Sequence, residues 1–343
     1  MEKNSGKTAN KICAACLLGL AALIMGICIG SVSISLPDTL NIIGAKLFGL
    51  KINDSIEASH ISILWDIRIP RALCAFLVGA ALSVSGAIIQ AILQNPLASS
   101  YTLGVSSGAS LGAAVIIISG ISSSVLGFML LPVVGFTCGF LTVLLVILIA
   151  GRLDTGFQNH TIILFGMIFS LFVNAMLTML SSLSHSHMQR LILWQMGSFS
   201  GRKYKHVLVI LVVFLIGIVL TIRYCRELDI LTFGDEGAMA LGVDAKKTKK
   251  RLLIIASLLT GIAVCFTGVI GFVDLAVPHV VRKVFGSSHK VVIPMTAIVG
   301  GAMMSIADLL ARTLLAPQEI PVGAITALFG APFFLFVYFK ERS

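Results

Sequence analysis

Charge is scarce in this sequence: 12% of its 343 residues are Asp, Glu, Lys or Arg, about half the share of a soluble domain. Hydrophobic residues make up 57%, and a water-soluble fold of this size could not hide so much apolar surface. The chain therefore reads as a polytopic membrane protein. Acidic residues are the scarcer charged class, 15 against 25 basic ones. The basic excess does not point to nucleic acid, because Lys and Arg of a membrane protein gather in cytoplasmic loops beside anionic lipid.

Complete chemical motifs are missing as well. Cys13 and Cys16 form a C-x-x-C, but no second Cys or His pair follows at a zinc-like spacing. The other cysteines sit mostly in apolar stretches as small hydrophobes. Ser5-Gly6-Lys7-Thr8 lacks the upstream Gly and the preceding strand of a phosphate loop, so the chain has no ATP site of its own. Gly104-Val-Ser106-Ser-Gly108 matches the nucleophile-elbow pattern, yet it opens a small-residue membrane helix. Helix packing explains it, and an intramembrane hydrolase using Ser106 is the rival. His185, His187, His279 and His289 have no carboxylate at a metal-binding helical spacing, so they take structural or surface roles. No metal and no cofactor are expected.

What is present is a succession of apolar runs. Between polar punctuation they predict spans near 12–36, 70–93, 104–120, 125–150, 161–183, 207–222, 252–267, 291–312 and 322–339. The first is too long for a signal peptide and no A-x-A site closes it, so it reads as an uncleaved span. Basic clusters at Lys3/Lys7/Lys11, Arg223–Arg251, Arg282/Lys283/Lys290 and Lys340/Arg342 all belong inside. Residues 252–281 must then leave and return, and they are too few for two full spans. One full helix plus a short, broken one near 272–281, ending at Pro278, satisfies the parity. Irregular backbone at membrane depth is tolerable only inside protein or beside a cavity, so this segment is a candidate pathway wall. The expected fold is all-α, about ten transmembrane helices with one short and broken, both termini cytoplasmic, residues 1–343 forming one domain. Gly79, Gly86, Pro96 and Gly104 recur at one offset as Gly261, Gly268, Pro278 and Gly286, but that register would carry the 282–290 cluster outside. The match is read as chance.

Within the spans, Gly79-Ala-Ala and Ser83-Val-Ser-Gly86 predict close helix packing. Asp274 is a carboxylate in an apolar run, which is costly in a membrane and faces a cavity or a polar partner. An ion-coupled secondary transporter using Asp274 is the alternative function. Asp308 and Arg312 stand one helical turn apart near an outer end, the spacing of an ion pair. The stretch Leu231–Val243 is Gly-bounded and polar-apolar mixed, like a short amphipathic helix pair at the membrane surface. Helices that short are marginal in water, so it docks on lipid or on a cytosolic partner.

From about residue 60 onward the sequence resembles the permease subunits of binding-protein-dependent ABC importers for ferric siderophores, heme and cobalamin. The resemblance rests on Arg68-Ile-Pro-Arg71 with Gly79-Ala, Ser85-Gly86 and Gln90, then Gln94-Asn-Pro-Leu-Ala98 and Leu103-Gly-Val-Ser-Ser-Gly108. Trp194-Gln-Met-Gly-Ser-Phe-Ser-Gly201, Gly234-Asp-Glu-Gly-Ala238 with Leu241-Gly242, and Gly268-Val-Ile-Gly-Phe-Val-Asp-Leu-Ala-Val-Pro-His279 continue it. Ala307-Asp308 with Arg312, Glu319-Ile-Pro-Val-Gly323, Thr326 and Gly330-Ala-Pro332 complete it.

The resemblance implies ten spans with both ends inside, a broken eighth helix, and a pair made with a second copy or a homologue. It implies two ABC ATPase subunits below, which hydrolyse the ATP, so that this chain is a transport subunit and not an enzyme. The coupling loop is about 226–251, with Gly234, Asp235, Glu236, Ala238, Leu241 and Gly242 meeting the ATPase. An extracytoplasmic binding protein docks above on Arg68, Arg71 and Arg312, which lie at outer ends against the charge bias. Asn95, Pro96, Leu97, Asp274, Pro278 and His279 are pathway or gate candidates. Asp274 departs from the family, which usually has a small residue there. An iron-siderophore is the commonest cargo, then heme and cobalamin, and no residue here chooses among them.

Overall fold

The computed structural model describes residues 2–342 apart from 54, 122–128, 155 and 184, with the side chains of 2–8, 185 and 333–342 also outside the description. The start of the span expected at 125 and the side chains of Lys3, Lys7, Lys340 and Arg342 therefore lie outside the described residues. The elements are α1 (Glu2–Cys28), α2 (Leu36–Phe48), α3 (Ala58–Ser62), a π-turn (Ile63–Arg68) running into α4 (Ile69–Ile92), a 3-10 turn (Ser100–Leu103) and α5 (Val105–Ser119). Then come α6 (Leu130–Leu153), α7 (Asn159–Ser182), a 3-10 turn (His185–His187) and α8 (Met188–Gln195). The chain closes with α9 (Tyr204–Arg223), α10 (Cys225–Leu231), α11 (Asp235–Ala240), α12 (Ala245–Thr267), α13 (Val273–Phe285), α14 (His289–Thr313) and α15 (Val322–Arg342). Among the described residues there is no strand. Among the described residues, seven helical segments are long and apolar enough to cross a membrane, and Val105–Ser119 and Val322–Pro332 are shorter apolar ones.

Helix α4 is the axis of the bundle, buried along almost its whole length and packed chiefly on α14, α12 and α13. Small residues allow this. A Cβ on Gly79 would lie 2.2 Å from the Gly300 carbonyl oxygen, so α4 and α14 touch backbone to backbone. Without a hydrophobic driving force in lipid, such close approach is what holds spanning helices together. Helix α7 is the opposite case, with Leu171, Phe172 and Met179 more than half exposed, a face left for lipid or another subunit.

Among the described residues, Lys11 and the stretches around 226–251 and 282–290 lie close together. The Lys11 ammonium donates to the Val284 carbonyl at 2.8 Å, and Asp229 accepts from both the backbone N–H and the ring of His289. Two boundaries differ from expectation. The first span ends at Cys28, not near 36, because Arg68 donates to the carbonyls of Cys28 and Val32 and turns the chain there. Helix α13 also does not end at Pro278 but runs through it to Phe285. A proline supplies no N–H to the carbonyl four residues back, here Asp274. Gln90 of α4 compensates: its Nε2 donates to the carbonyls of Leu275 at 3.2 Å and Asp274 at 3.4 Å. Gly86 one turn earlier makes room, since a Cβ there would sit 1.9 Å from the Asp274 carbonyl oxygen.

Candidate functional site

The motifs quoted from distant parts of the sequence converge on α13. Phe272 begins it in the left-handed region at φ +69°, a conformation that is rare and strained for an aromatic residue. Asp274 follows, 1% exposed, with Oδ2 accepting from the Ser100 N–H at 3.0 Å and the Ser100 hydroxyl at 2.8 Å. It thus faces a polar partner in the connection after α4, not lipid. Tyr101 donates to the Ile270 carbonyl, and Arg282 donates to Gln90 Oε1, closing a polar seam between α4, this connection and α13. Pro278 is buried and His279 half-buried on the same helix.

The connection itself is a tight turn. Gln94 has φ +50°, and Asn95 Oδ1 accepts from the Leu97 N–H at 2.9 Å. Asn95 is half-buried, Pro96 is exposed and Leu97 stands 51% exposed. Gln94 Nε2 donates to the Leu231 carbonyl at 2.6 Å, which ties this turn to α10.

A polar cavity of about 320 Å³ lies between α5, α7 and α8, lined by Tyr101, Ser106, Ser107, Ser110, Ser170, Asn174 and Gln195 among others. Ser170 is eleven residues into α7, about 16 Å along its axis and so near mid-span. Hydroxyls and amides at that depth are unfavourable against lipid, so this face suits a wet channel or a partner. Ser170 and Asn174 were not singled out from the sequence, and Gln195 entered only as part of the Trp194–Gly201 motif; an Asn on a mostly apolar helix was the available signal. The lining holds neither His nor carboxylate, so Ser106 has no general base there.

Arg68, Arg71 and Arg312 sit near the opposite end, and all are buried: 4%, 6% and 5% exposed. Docking asks for guanidiniums free at the surface, and these are committed within the chain. Arg71 meets Asp308 bidentately, Nε at 3.0 Å and Nη2 at 2.9 Å from Oδ1, and its Nη1 reaches Glu319 at 2.5 Å. Arg312 donates to the Gly26 carbonyl and stands 3.7 Å from Asp308, a weaker contact than the i,i+4 spacing led one to expect. The three arginines brace α1, α4, α14 and the approach to α15.

At the basic end, α10 and α11 form the expected short pair. Gly234 and Gly242 flank α11 at φ +93° and +81°, a region that other residues enter only with strain. Phe233, Met239 and Leu241 are 76%, 60% and 63% exposed, and Glu236 is exposed beside them. Clefts of about 540 and 240 Å³ open on either side, meeting at Gly242 and Val243. Three exposed apolar side chains together mark a contact surface. The other expected members behave differently: Ala238 is fully buried, and Asp235 turns inward to Lys249. Asp244 caps α12 at this rim, and the Lys247 N–H and ammonium hold its carboxyl below the ordinary range.

Comparison with known proteins agrees with these features. The FecCD transport family matches residues 17–340. The hemin transport system permease protein HmuU of Yersinia pestis is 37% identical over 84% of this chain and 87% of its own length. The cobalamin import system permease protein BtuC of Halobacterium salinarum is 39% identical over 80% of this chain and 73% of its own. A solved structure described as an inward-facing ABC transporter of metal-chelate type superposes with a TM-score of 0.85 at 29% identity. It covers 97% of this chain and 99% of that one. The motif-bearing residues around α13, the apolar contact surface at the basic end and the match over nearly the whole chain lead to one identification: this is a multi-pass membrane permease of the ABC importer type and belongs to the FecCD transport family.

Proposed function

We propose that the chain, paired with a second copy or a homologue, carries an iron-siderophore complex across the cytoplasmic membrane. An extracytoplasmic binding protein delivers the cargo, and ATP hydrolysis on two partner ATPase subunits drives the cycle. Ten crossings with both termini inside accompany this reading. The observation that carries it is the polar cavity at mid-span between α5 and α7. A hydrogen-bonding, uncharged lining on a face open to its surroundings suits transient contact with the oxygen-rich rim of a chelate. Kinship alone does not choose the cargo, because a hemin and a cobalamin permease are equally similar.

The ATPase seats against Phe233, Met239, Leu241 and Glu236, with Gly234 and Gly242 setting the shape of the element and Asp235 and Ala238 anchoring it from within. The Asn95-Pro96-Leu97 turn is the inner gate, and its tie to α10 through Gln94 supports a link between gate and motor. The binding protein docks on the face that Arg68, Arg71 and Arg312 brace, and the burial of these arginines favours a positioning role for them. Asp274, sealed at 1% exposure against Ser100, supports a structural role over ion coupling. The test is uptake of labelled ferric siderophore into proteoliposomes holding permease, ATPase and binding protein. ATP-dependent uptake is expected; gradient-driven uptake by the permease alone would overturn the reading in favour of the Asp274-coupled carrier.

A further inference from the structure

Lys249 is a charged side chain with no exposure at all. It lies just over one turn into α12, and its ammonium donates to Asp235 Oδ2 of α11 at 2.5 Å and to Asn159 Oδ1 of α7 at 2.5 Å. Burying an ammonium costs several kcal/mol even after relaxation, so its two acceptors are required, not incidental. Both come from other elements, and the three meet at one nitrogen.

Their positions give the contact meaning. Helix α11 has six residues, with a left-handed glycine on each side. No atom lies within 4 Å of a Cβ built on either glycine, so both flanks are open joints. One face of α11 is buried through Ala238, and the other presents the exposed Met239. Helix α7 starts at Asn159, and the Asp154 carboxylate ties down the residues on either side of its start. The Asp154 carboxylate accepts from the N–H groups of Gly156 and Gln158 and from the Thr161 hydroxyl, each at 2.8 Å. Eleven residues further, α7 carries Ser170 and the mid-span cavity. Helix α10 is tethered elsewhere, to α14 through Asp229–His289 and to the gate turn through Gln94. The two short helices of the coupling element are therefore wired to different parts of the bundle.

We propose that Lys249 is the positioning residue that joins the ATPase-facing helix α11 to the pathway helix α7, so that a displacement of α11 by the motor moves α7 and α12 with it. The inference rests on the ABC importer reading and assigns the relay within it. A lysine suits the post: its ammonium has three donors on a flexible stem and can hold two acceptors from separate helices.

Four variants separate a relay from a plain structural pair. Lys249→Met removes the buried ammonium and leaves the half-buried Asp235 without its partner; Lys249→Met with Asp235→Leu removes both charges, a change that such pairs often tolerate. Asn159→Ala cuts α7 loose while leaving the ion pair. Each is assembled with ATPase and binding protein in proteoliposomes, with ferric citrate, hemin and cyanocobalamin as probes. The readouts are ATP hydrolysed, probe transported, ATPase stoichiometry and thermal unfolding of the permease. Asn159→Ala is expected to fold and to retain ATPase binding and hydrolysis, and in both it and the folded double variant transport per ATP is expected to fall about tenfold, within the range that coupling residues reach. Lys249→Arg, which keeps the charge, recovers most of it. Wild-type transport per ATP in the folded double variant or in Asn159→Ala would overturn the proposal. A wild-type assembly that binds no ATPase and moves no probe would instead count against the importer reading itself.

Discussion

Replacing Asp308 by Asn, Arg71 by Met, and both together, measures whether these residues hold the bundle or face a partner. The Arg71 side chain is 7% exposed and that of Asp308 2%, and two guanidinium nitrogens contact the carboxylate within 3.1 Å. Breaking a buried pair by removing one member costs about 3–5 kcal/mol, because a charge is left uncompensated. Glu319 keeps one contact to Arg71 and its side chain is 40% exposed, so the low end, about 3 kcal/mol, is expected for Asp308→Asn. That is roughly a hundredfold shift in the folded-to-unfolded ratio. The double variant should be less destabilised than the sum of the singles by about 2 kcal/mol, whereas a solvent-exposed pair would give about 0–1 kcal/mol. The measurement is denaturant unfolding of purified permease in detergent, with no binding protein present. The loss should persist as salt is raised, since a dry pair is barely screened. Singles that unfold like the wild type, with binding-protein affinity alone reduced, would refute the brace and restore the arginines to direct docking.

Gln90→Leu should cost about 1–3 kcal/mol by stranding buried carbonyls of α13, and less in a Pro278→Ala background, where the introduced alanine supplies its own N–H to the Asp274 carbonyl; unfolding of the four chains checks this. Phe233→Asp with Leu241→Asp should leave folding unchanged, because both side chains are mostly exposed, while co-purification of the ATPase falls. Gly86→Val should abolish a monodisperse permease on size-exclusion chromatography, since its Cβ would overlap the Asp274 carbonyl oxygen. Ser107→Leu with Asn174→Leu should slow ATP-driven uptake without lowering thermal stability, as both line an open cavity instead of the packed core.

The helices were legible where local pattern decides them. Charge bias and parity alone located a short helix after residue 270, and α13 lies there. Its end was misjudged because proline's penalty is local while its remedy, Gln90, stands 184 residues from the Asp274 carbonyl it serves. The arginines show the same division. Sequence placed them at helix ends against the charge bias, but their carboxylate partners are set by tertiary packing, with Arg71 and Asp308 237 residues apart. Asp308 and Arg312, adjacent on one helix face, were the visible pair and proved the weaker one. The short Gly-bounded element at α10 and α11 was readable from its glycines. Which of its side chains face outward was not, and Ala238 and Asp235 turned out to point into the bundle. The polar cavity could not be seen at all from single segments, since its lining is drawn from several separate helices.

The carboxamide of Gln90 has a further consequence. Its nitrogen serves two carbonyls near the start of α13 and its oxygen receives Arg282, near the end of the same helix. Along the axis of α13 these partners are about two turns apart, and only one alignment satisfies them together. A one-residue change of register would move these partners about 1.5 Å along the axis of α13 and turn them about 100° around it, away from Gln90. The side chain therefore works as an index mark between the two helices. Together with the Arg71–Asp308 pair between α4 and α14, it holds the axial helix of this permease in register with two of its neighbours.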